Sequence, residues 1–339
     1  MNANMLANAT QWITALAVHS GEKLPQALMH KLSISRRSAG LLLRRLIENQ
    51  WLECTGTPRR PSWKPGALRQ VVHTYALAGL AEDLPWARDF APYFSLPPNV
   101  ARLAQHAFSE LLNNAIDHSG GEAVTVSMRR TAMHVQLLVS DDGCGVFQRI
   151  AEAFEINDPT LAMFELTKGK LTSAPAAHSG HGLFFTSRLA DFFNLHANEA
   201  AFQLRNADVP SWVKSRPLPH RGTSVYLAIA LDTARTLDTV LQAHSASPGR
   251  YGLDRTVLPL KMLTSENVGL ESRAQARRVV ARLARFGHAE VDFGGIADIG
   301  HAFADELFRV QAARGVSLDL RPLRMSPRVA AMVDSVLAA

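Results

Sequence analysis

Residues 109–121 read SELLNNAIDHSGG, setting a glutamate, two adjacent asparagines, an aspartate and a histidine inside an apolar repeat. Val100, Leu103, Ala104, Ala107, Phe108, Leu111, Leu112, Ala115 and Ile116 recur at i, i+3, i+4 and i+7, as in an amphipathic helix. Pro97 and Pro98 suit its first turn. At about 100° per residue, Glu110, Asn114 and Asp117 fall on one flank of that stripe, where a helix borders both a core and a cleft. Asparagine is not needed for packing there and lowers helix propensity. Its amide oxygen can ligate a hard cation such as Mg²⁺. A glutamate one turn earlier can orient or deprotonate water or a substrate hydroxyl. Glu110 is thus the candidate base and Asn114 the candidate metal ligand, with Asn113 farther round the helix.

Downstream, AVTVSMR (123–129) and MHVQLLVS (133–140) alternate as the two strands of a hairpin. The second runs into Asp141-Asp142-Gly143-Cys144-Gly145. A carboxylate at a strand end can accept from an exocyclic amine, and glycines let backbone lie against a flat base. Two short helices (147–155 and 159–166) and the run TKGKLTSAPAAHSGHG precede a helix that begins near Leu183. Gly180, His181 and Gly182 open it, and glycine-bearing helix N-termini bind phosphate. Strands near 195–206 and 223–230, the latter opened by Gly222-Thr223, complete an α+β unit of one sheet with helices on one face. The absence of a GxxxxGK[ST] run argues against a P-loop.

In this order and spacing the motifs resemble the GHKL, or Bergerat-fold, ATPases, a group that includes histidine kinases, the gyrase B subunit, MutL and anti-sigma-factor kinases. Glu110 to Ala115 is similar to the N box, Asp141-x-Gly143-x-Gly145 to the adenine-binding G1 box, Gly180-His181-Gly182-Leu183 to the G2 box, and Gly222-Thr223 to the closing Gly-Thr. The resemblance spans roughly 98–230. It implies ATP and Mg²⁺ as cofactors, with Asn114 on the metal bridging the triphosphate and Asp141 and Thr223 on the adenine amine. It also implies Gly143 against the base, Gly180, Gly182 and Leu183 around the phosphates, residues 147–181 as the lid, and Glu110 as general base. The pattern departs from histidine kinases at Asp117, where a basic residue is common, so Lys168, Lys170, His178 and His181 become the candidate phosphate cations. Phe184 replaces a further glycine, and no phospho-acceptor histidine helix precedes the site.

The net charge of +6 is uneven: residues 1–75 hold ten Lys/Arg and three acids, a balance of +7, and the other residues sum to −1. That is an electrostatic footprint suited to nucleic acid. Three helices are expected at 9–20, 24–32 and 35–50, the third capped by Ser33 or Ser35, buried through Leu41, Leu42, Leu43 and Leu46, and basic through Arg36, Arg37, Arg44 and Arg45. WLEC and the loop TGTPRRPSWKPG, with Arg59 and Arg60, follow in the order of a winged helix-turn-helix, whose third helix enters the major groove. At the other end, strands at 257–263, 289–295 and 316–323 alternate with helices at 272–286, 301–313 and 327–339 as a βαβαβα domain.

VDFGGIADIGHAFADELFRV resembles STAS-like domains, and with GLAEDLPWARDFAPYF, NNAIDHSGG and FELTKGKLTSAPAAHSGHGLFFTSR most of the chain resembles bacterial regulators that join a Bergerat ATPase to such a domain, often behind a helix-turn-helix. The strand-to-helix turn Asp298-Ile299-Gly300-His301-Ala302 lacks the hydroxyl that antagonists phosphorylate, which leaves a docking or autoregulatory domain. The expected fold is multidomain, α+β and α/β: winged helix 1–75, connector 76–97, ATP-binding α/β sandwich 98–232, linker 233–252 and STAS-like domain 253–339. No apolar run has the length of a membrane span, the start lacks a signal-peptide pattern, and Cys54 and Cys144 form neither a disulfide framework nor a metal spacing, so a cytoplasmic protein is expected.

The leading functional reading is a nucleotide-gated transcriptional regulator that binds DNA through Arg36, Arg37, Arg44, Arg45, Arg59 and Arg60 and docks a protein through its C-terminal domain. The alternatives are a serine/threonine kinase or slow ATPase acting through a protein partner, and an anti-sigma-type switch whose N-terminal helices bind protein. Relatives in the wider fold group dimerise, which leaves a homodimer open.

Overall fold

The computed structural model describes residues 3–156, 158–168, 182–206, 211–217, 219–244, 255–264, 269–283, 286, 288–310 and 318–338. The chain is mixed α/β and divides into two compact units, Met1–Gly143 with Gly222–Ala234, and Cys144–Arg221 with Arg235–Ala339.

The first unit opens with α1 (Ala3–Thr10), α2 (Ile13–Ser20), α3 (Leu24–Leu32) and α4 (Arg36–Glu48). The single helix expected at 9–20 is therefore two. Near the break Thr10 Oγ1 donates to Ala7 O at 2.8 Å and Trp12 Nε1 to Asn8 Oδ1 at 3.0 Å. Such local side-chain bonds compete with the helical ladder. Ser35 caps α4, its Oγ accepting from Ser38 N at 3.2 Å. Leu42, Leu43 and Leu46 are buried with Ile13, Leu24 and Leu28. Leu41 is not: it is 47% exposed, because it sits one turn from Arg37 and Arg44 on the outer face.

The proline-rich stretch read as a basic loop is a hairpin, β1 (Leu52–Thr57) with β2 (Arg60–Pro65), paired from Leu52↔Pro65 to Thr57↔Arg60. Among the described residues its strands pair only with each other, and such edges tolerate proline. The next strand, β3 (Arg69–Ala76), runs antiparallel to β4 (Ala123–Arg130), so residues expected in the first domain extend the central strands. β4, β5 (His134–Asp141) and β9 (Thr223–Ala230) continue the antiparallel order β3-β4-β5-β9. Gln70 N of β3 donates to Thr14 Oγ1 of α2 at 3.1 Å, and Thr14 is fully buried. The N-terminal helices are thereby joined to the central strands.

Between these parts lie α5 (Asp83–Pro85) and turns to Tyr93. Tyr75 Oη donates to Asp89 at 2.7 Å, and Trp86 and Phe90 set their rings 5.4 Å and 5.1 Å from Phe108 of α6 (Pro98–His118). α6 packs on β5 and β9 along its apolar stripe, in which Ile116 alone is half-buried.

The second unit holds α7 (Val146–Phe154), α8 (Pro159–Lys168), α9 (Gly182–Leu189) and an antiparallel run of β6 (Phe192–Ala197), β7 (Ala200–Arg205) and β8 (Ser211–Lys214). The stretch expected to be a linker contains α10 (Leu237–Ala243), capped by Thr236 and Thr239. A parallel sheet then forms in the order β10 (Arg255–Pro259), β11 (His288–Asp292), β12 (Asp319–Leu323), with α11 (Arg273–Leu283), α12 (His301–Ala304) continued by a wider turn Asp305–Val310, and α13 (Pro327–Leu337). The strand expected through residue 263 ends at Pro259, giving way to a 3₁₀ turn Leu260–Leu263.

The cap on α4 gives a direct check. Ser35→Ala should cost about 1 kcal/mol in chemical denaturation, because Ser38 N loses its acceptor.

Candidate functional site

In the first unit the site is built where α6 and β5 end and β9 begins. Glu110 and Asn114 are half-buried on the flank of α6, while Asp117 is exposed. Asn113 Oδ1 and His106 Nε2 are buried atoms without a hydrogen-bond partner among the described residues. That side of α6 is thus less open than the sequence alone suggests. Burial holds His106 below the ordinary histidine range, against the opposing pull of Glu110.

Asp141 ends β5 and is only 6% exposed. A buried carboxylate needs donors. Its Oδ1 accepts from Gly143 N at 3.0 Å and from Thr223 N at 3.1 Å. Three glycines make this possible. A Cβ on Gly143 would stand 2.2 Å from Ser119 O, and one on Gly222 would stand 2.2 Å from Asp141 O. One on Gly121 would stand 2.3 Å from Asp142 Oδ1, which accepts from Glu122 N at 2.8 Å and Ala123 N at 3.0 Å. Ser119 links helix to strand, donating from Oγ to Ala115 O and accepting from Gly121 N.

This arrangement suits the groups that the motifs imply. The Asp141 carboxylate is fixed by backbone and stands beside a residue with no side chain, as an amine on a flat base requires. The amide oxygen of Asn114 and the carboxylate of Glu110 are hard oxygen donors, the kind Mg²⁺ prefers.

The second unit carries Gly145, Lys168, Gly182 and Leu183. Gly145 has φ +88°, and a Cβ on it would meet Asn198 Nδ2 at 2.6 Å. Asn198 in turn donates to Cys144 O at 2.8 Å. Asn198, Glu199, Arg216, His220 and Arg221 line a hollow of about 770 Å³, within the size range of small-molecule sites. α8 ends at Lys168, whose side chain lies outside the described residues, as do Lys170, His178, Gly180 and His181. Gly182 starts α9 and Leu183 is half-buried.

Phe184, which stands where the motif has a further glycine in the resemblance, works in the core. Its ring lies 5.3 Å from Phe185, 4.8 Å from His244 and 5.2 Å from the Arg188 guanidinium. The other end of α9 is held by Asn206 Nδ2, which donates to Ser187 O and Ala190 O at 2.6 Å each. Arg235 adds bonds to Asp191 Oδ1 at 2.6 Å and to Asn206 O at 3.0 Å. Burial pushes Arg188 down to about 10, still cationic at neutral pH. His244 is pushed down to about 4 by burial and then by the charge of Arg188.

Arg36, Arg37, Arg44 and Arg45 are exposed on α4, and Arg59 and Arg60 are exposed at the tip of the β1–β2 hairpin. In the C-terminal part Asp298 and His301 are exposed, so the turn without a hydroxyl is a surface feature. Behind it Arg324 pairs with the buried Asp292, and Arg277 with the buried Glu306 at 2.9 Å. Ser119, Gly121, Asp142 and Asn198 are contributors that the sequence reading passed over. The doublets Asp141-Asp142 and Gly120-Gly121 are the only local hint of the first three.

Two known families match parts of the chain. Residues 99–233 match the family described as histidine kinase-, DNA gyrase B-, and HSP90-like ATPase. Residues 275–317 match the family described as STAS-like domain of unknown function. No curated protein matches the chain. The chain therefore carries a GHKL ATPase domain, which implies nucleotide binding, followed by a STAS-like domain.

Two outcomes follow from the geometry. Gly143→Ala should cost about 1–3 kcal/mol of stability and abolish nucleotide binding, read by thermal melting and calorimetry, since its Cβ would overlap Ser119 O. The unfolded chain protonates His244 below its ordinary value of 6.5, whereas the folded chain resists until about 4. Stability should thus fall by about 2 kcal/mol between pH 7 and pH 5, and His244→Phe should flatten that loss in urea titrations.

Proposed function

We propose that this chain is an ATP- and Mg²⁺-binding regulator in which nucleotide-driven closure of the lid, residues 147–181, controls DNA binding by an N-terminal winged helix and docking by the STAS-like domain. The observation that carries the nucleotide part is the Asp141 carboxylate locked to Gly143 N and Thr223 N inside a matched ATPase segment. Asn114 would hold the metal, which would supply positive charge against the phosphates. Asp141 and Thr223 would hold the adenine amine, and Gly143 and Gly145 would let the loop lie close. Gly182 and Leu183, with Gly180 and His181 before them, would meet the phosphates at the start of α9, and Lys168 and Lys170 would supply positive charge.

For DNA, support comes from four arginines on the exposed face of a capped helix and two more on a neighbouring hairpin in a segment of charge +7. Arginines placed so meet phosphates and base edges. A ligand shifts such an equilibrium only by contacting its two states differently, and the lid is the element that would do so.

A second reading, a serine/threonine kinase or slow ATPase acting on a protein partner, is favoured by one observation. Glu110 is half-buried one turn before Asn114, which supports reading it as the base. In this reading Glu110 would take the proton from water or a hydroxyl as that oxygen bonds to the γ-phosphorus of ATP and the bond to the departing ADP breaks.

Calorimetry with ATP and magnesium, alone and with random-sequence DNA, separates these readings. Asn114→Ala should remove magnesium-dependent ATP binding; retained binding would displace Asn114 from the metal. Glu110→Gln should bind ATP yet lose turnover, and unchanged turnover would remove it as base. Replacing Arg36, Arg37, Arg44 and Arg45 together by alanine should reduce the log–log salt slope of DNA binding by about 3–4. An unchanged slope and affinity would end the DNA reading.

A further inference from the structure

The lid helix has a second support that the motifs do not disclose. α8 is ten residues long, too short to be stable alone, so its order depends on what it packs against. Ala162, Met163 and Thr167 on it are buried. Within the second unit α8 packs on α7 and α9 of the ATPase segment, and also on β10 and the turn Leu260–Leu263. Those last two elements precede the matched STAS-like residues but belong to the same sheet, since β10 pairs in parallel with β11 over Arg255↔His288 to Pro259↔Asp292. Leu258 and Leu260 have no exposed surface there, and Met262 has 3%. The same turn also packs on β8. The C-terminal sheet is thus seated on the helix that ends at Lys168.

We propose that the STAS-like domain is a working part of the nucleotide lid, with Leu258, Leu260 and Met262 as positioning residues that hold α8 in its nucleotide-binding place. This rests on the ATP-binding reading above. The chemistry is apolar burial. Without β10 and its turn, one face of α8 is returned to water, and a ten-residue helix does not keep its shape for a ligand. Coupling of this kind is reciprocal: if the STAS-like domain raises affinity for ATP, ATP must tighten the STAS-like domain on α8. A protein that gripped β10 or its turn would then act directly on nucleotide retention.

Hydrogen exchange on the full-length chain tests this, read in residues 159–168 and 255–263 with and without ATP and magnesium. In the wild type, ATP should slow exchange in both segments. Leu260→Glu should speed exchange in 159–168 without nucleotide and weaken ATP binding about tenfold, while residues 109–118 and 134–141 keep their protection. The conservative Leu260→Met should restore affinity to within about twofold, which a general loss of fold would not reproduce. If Leu260→Glu fails to fold, Met163→Gln puts a polar group into the buried face of α8 itself and should give the same pattern. Unchanged exchange in 159–168 in a folded variant, or no effect of bound ATP on 255–263, overturns the proposal. Failure of the wild type to bind ATP would instead remove the nucleotide reading, and exchange without ligand would still decide whether the sheet holds α8.

Discussion

The buried carboxylate of Asp141 is the interaction on which the rest of the first unit's site depends. It is nearly removed from water, and its Oδ1 is met by the N–H groups of Gly143 and Thr223. Those two donors lie 80 residues apart in sequence, so one side chain closes the end of β5 onto the start of β9. The geometry leaves no room for side chains nearby. Gly222 holds φ +95° against Asp141 O, and Gly143 presses on Ser119 O at the exit of α6. Stability and recognition are hard to separate here, because the bonds that satisfy a buried charge also flatten the surface against which a base would lie.

Each terminal module shares a compact unit with a different part of the ATPase segment. The N-terminal helices reach β3 through Thr14 and Gln70, in the unit that holds Asn114 and Asp141. The C-terminal sheet is seated on α8, in the unit that holds Gly145 and Gly182. This bears on how a signal would travel. The basic helix α4 shares a core with α2, which a buried hydroxyl joins to β3 and its antiparallel ladder, so it is poorly suited to swing on a loose linker. Regulation of its partner is better sought in what binds beside it, or in which oligomer forms, than in a free hinge after residue 75.

α6, the β4–β5 hairpin and the C-terminal alternation were legible because their signals are local: an apolar period of 3.6, an alternation of 2, and glycines at strand ends. The misread parts depend on distant partners. Three prolines and two arginines suggest a loop at 58–65, yet pairing Thr57 with Arg60 makes a hairpin. β3 has little pattern of its own until β4 lies beside it. α10 is capped by Thr236 and Thr239 rather than by the Ser/Thr and Glu pair that marks a capping box in sequence. In the site, Asp141, Gly143 and Glu110 were legible as motif residues. Ser119, Asp142 and Asn198 were not, because their work is to hold backbone that motif residues then use.

Phe184 shows how far a motif can change while its helix keeps its place. A glycine there would leave the start of α9 open; a phenylalanine instead fills the space against Phe185 and His244 and lies over Arg188. His244 is the residue just after α10, the helix that leaves the ATPase segment toward the C-terminal sheet. The helix that opens with Gly182 is therefore braced by the chain's own route out of the ATPase segment, and α8 is braced by β10 and the turn that follows it. In both places a loss of glycine or of helix length is offset by apolar contact from downstream sequence.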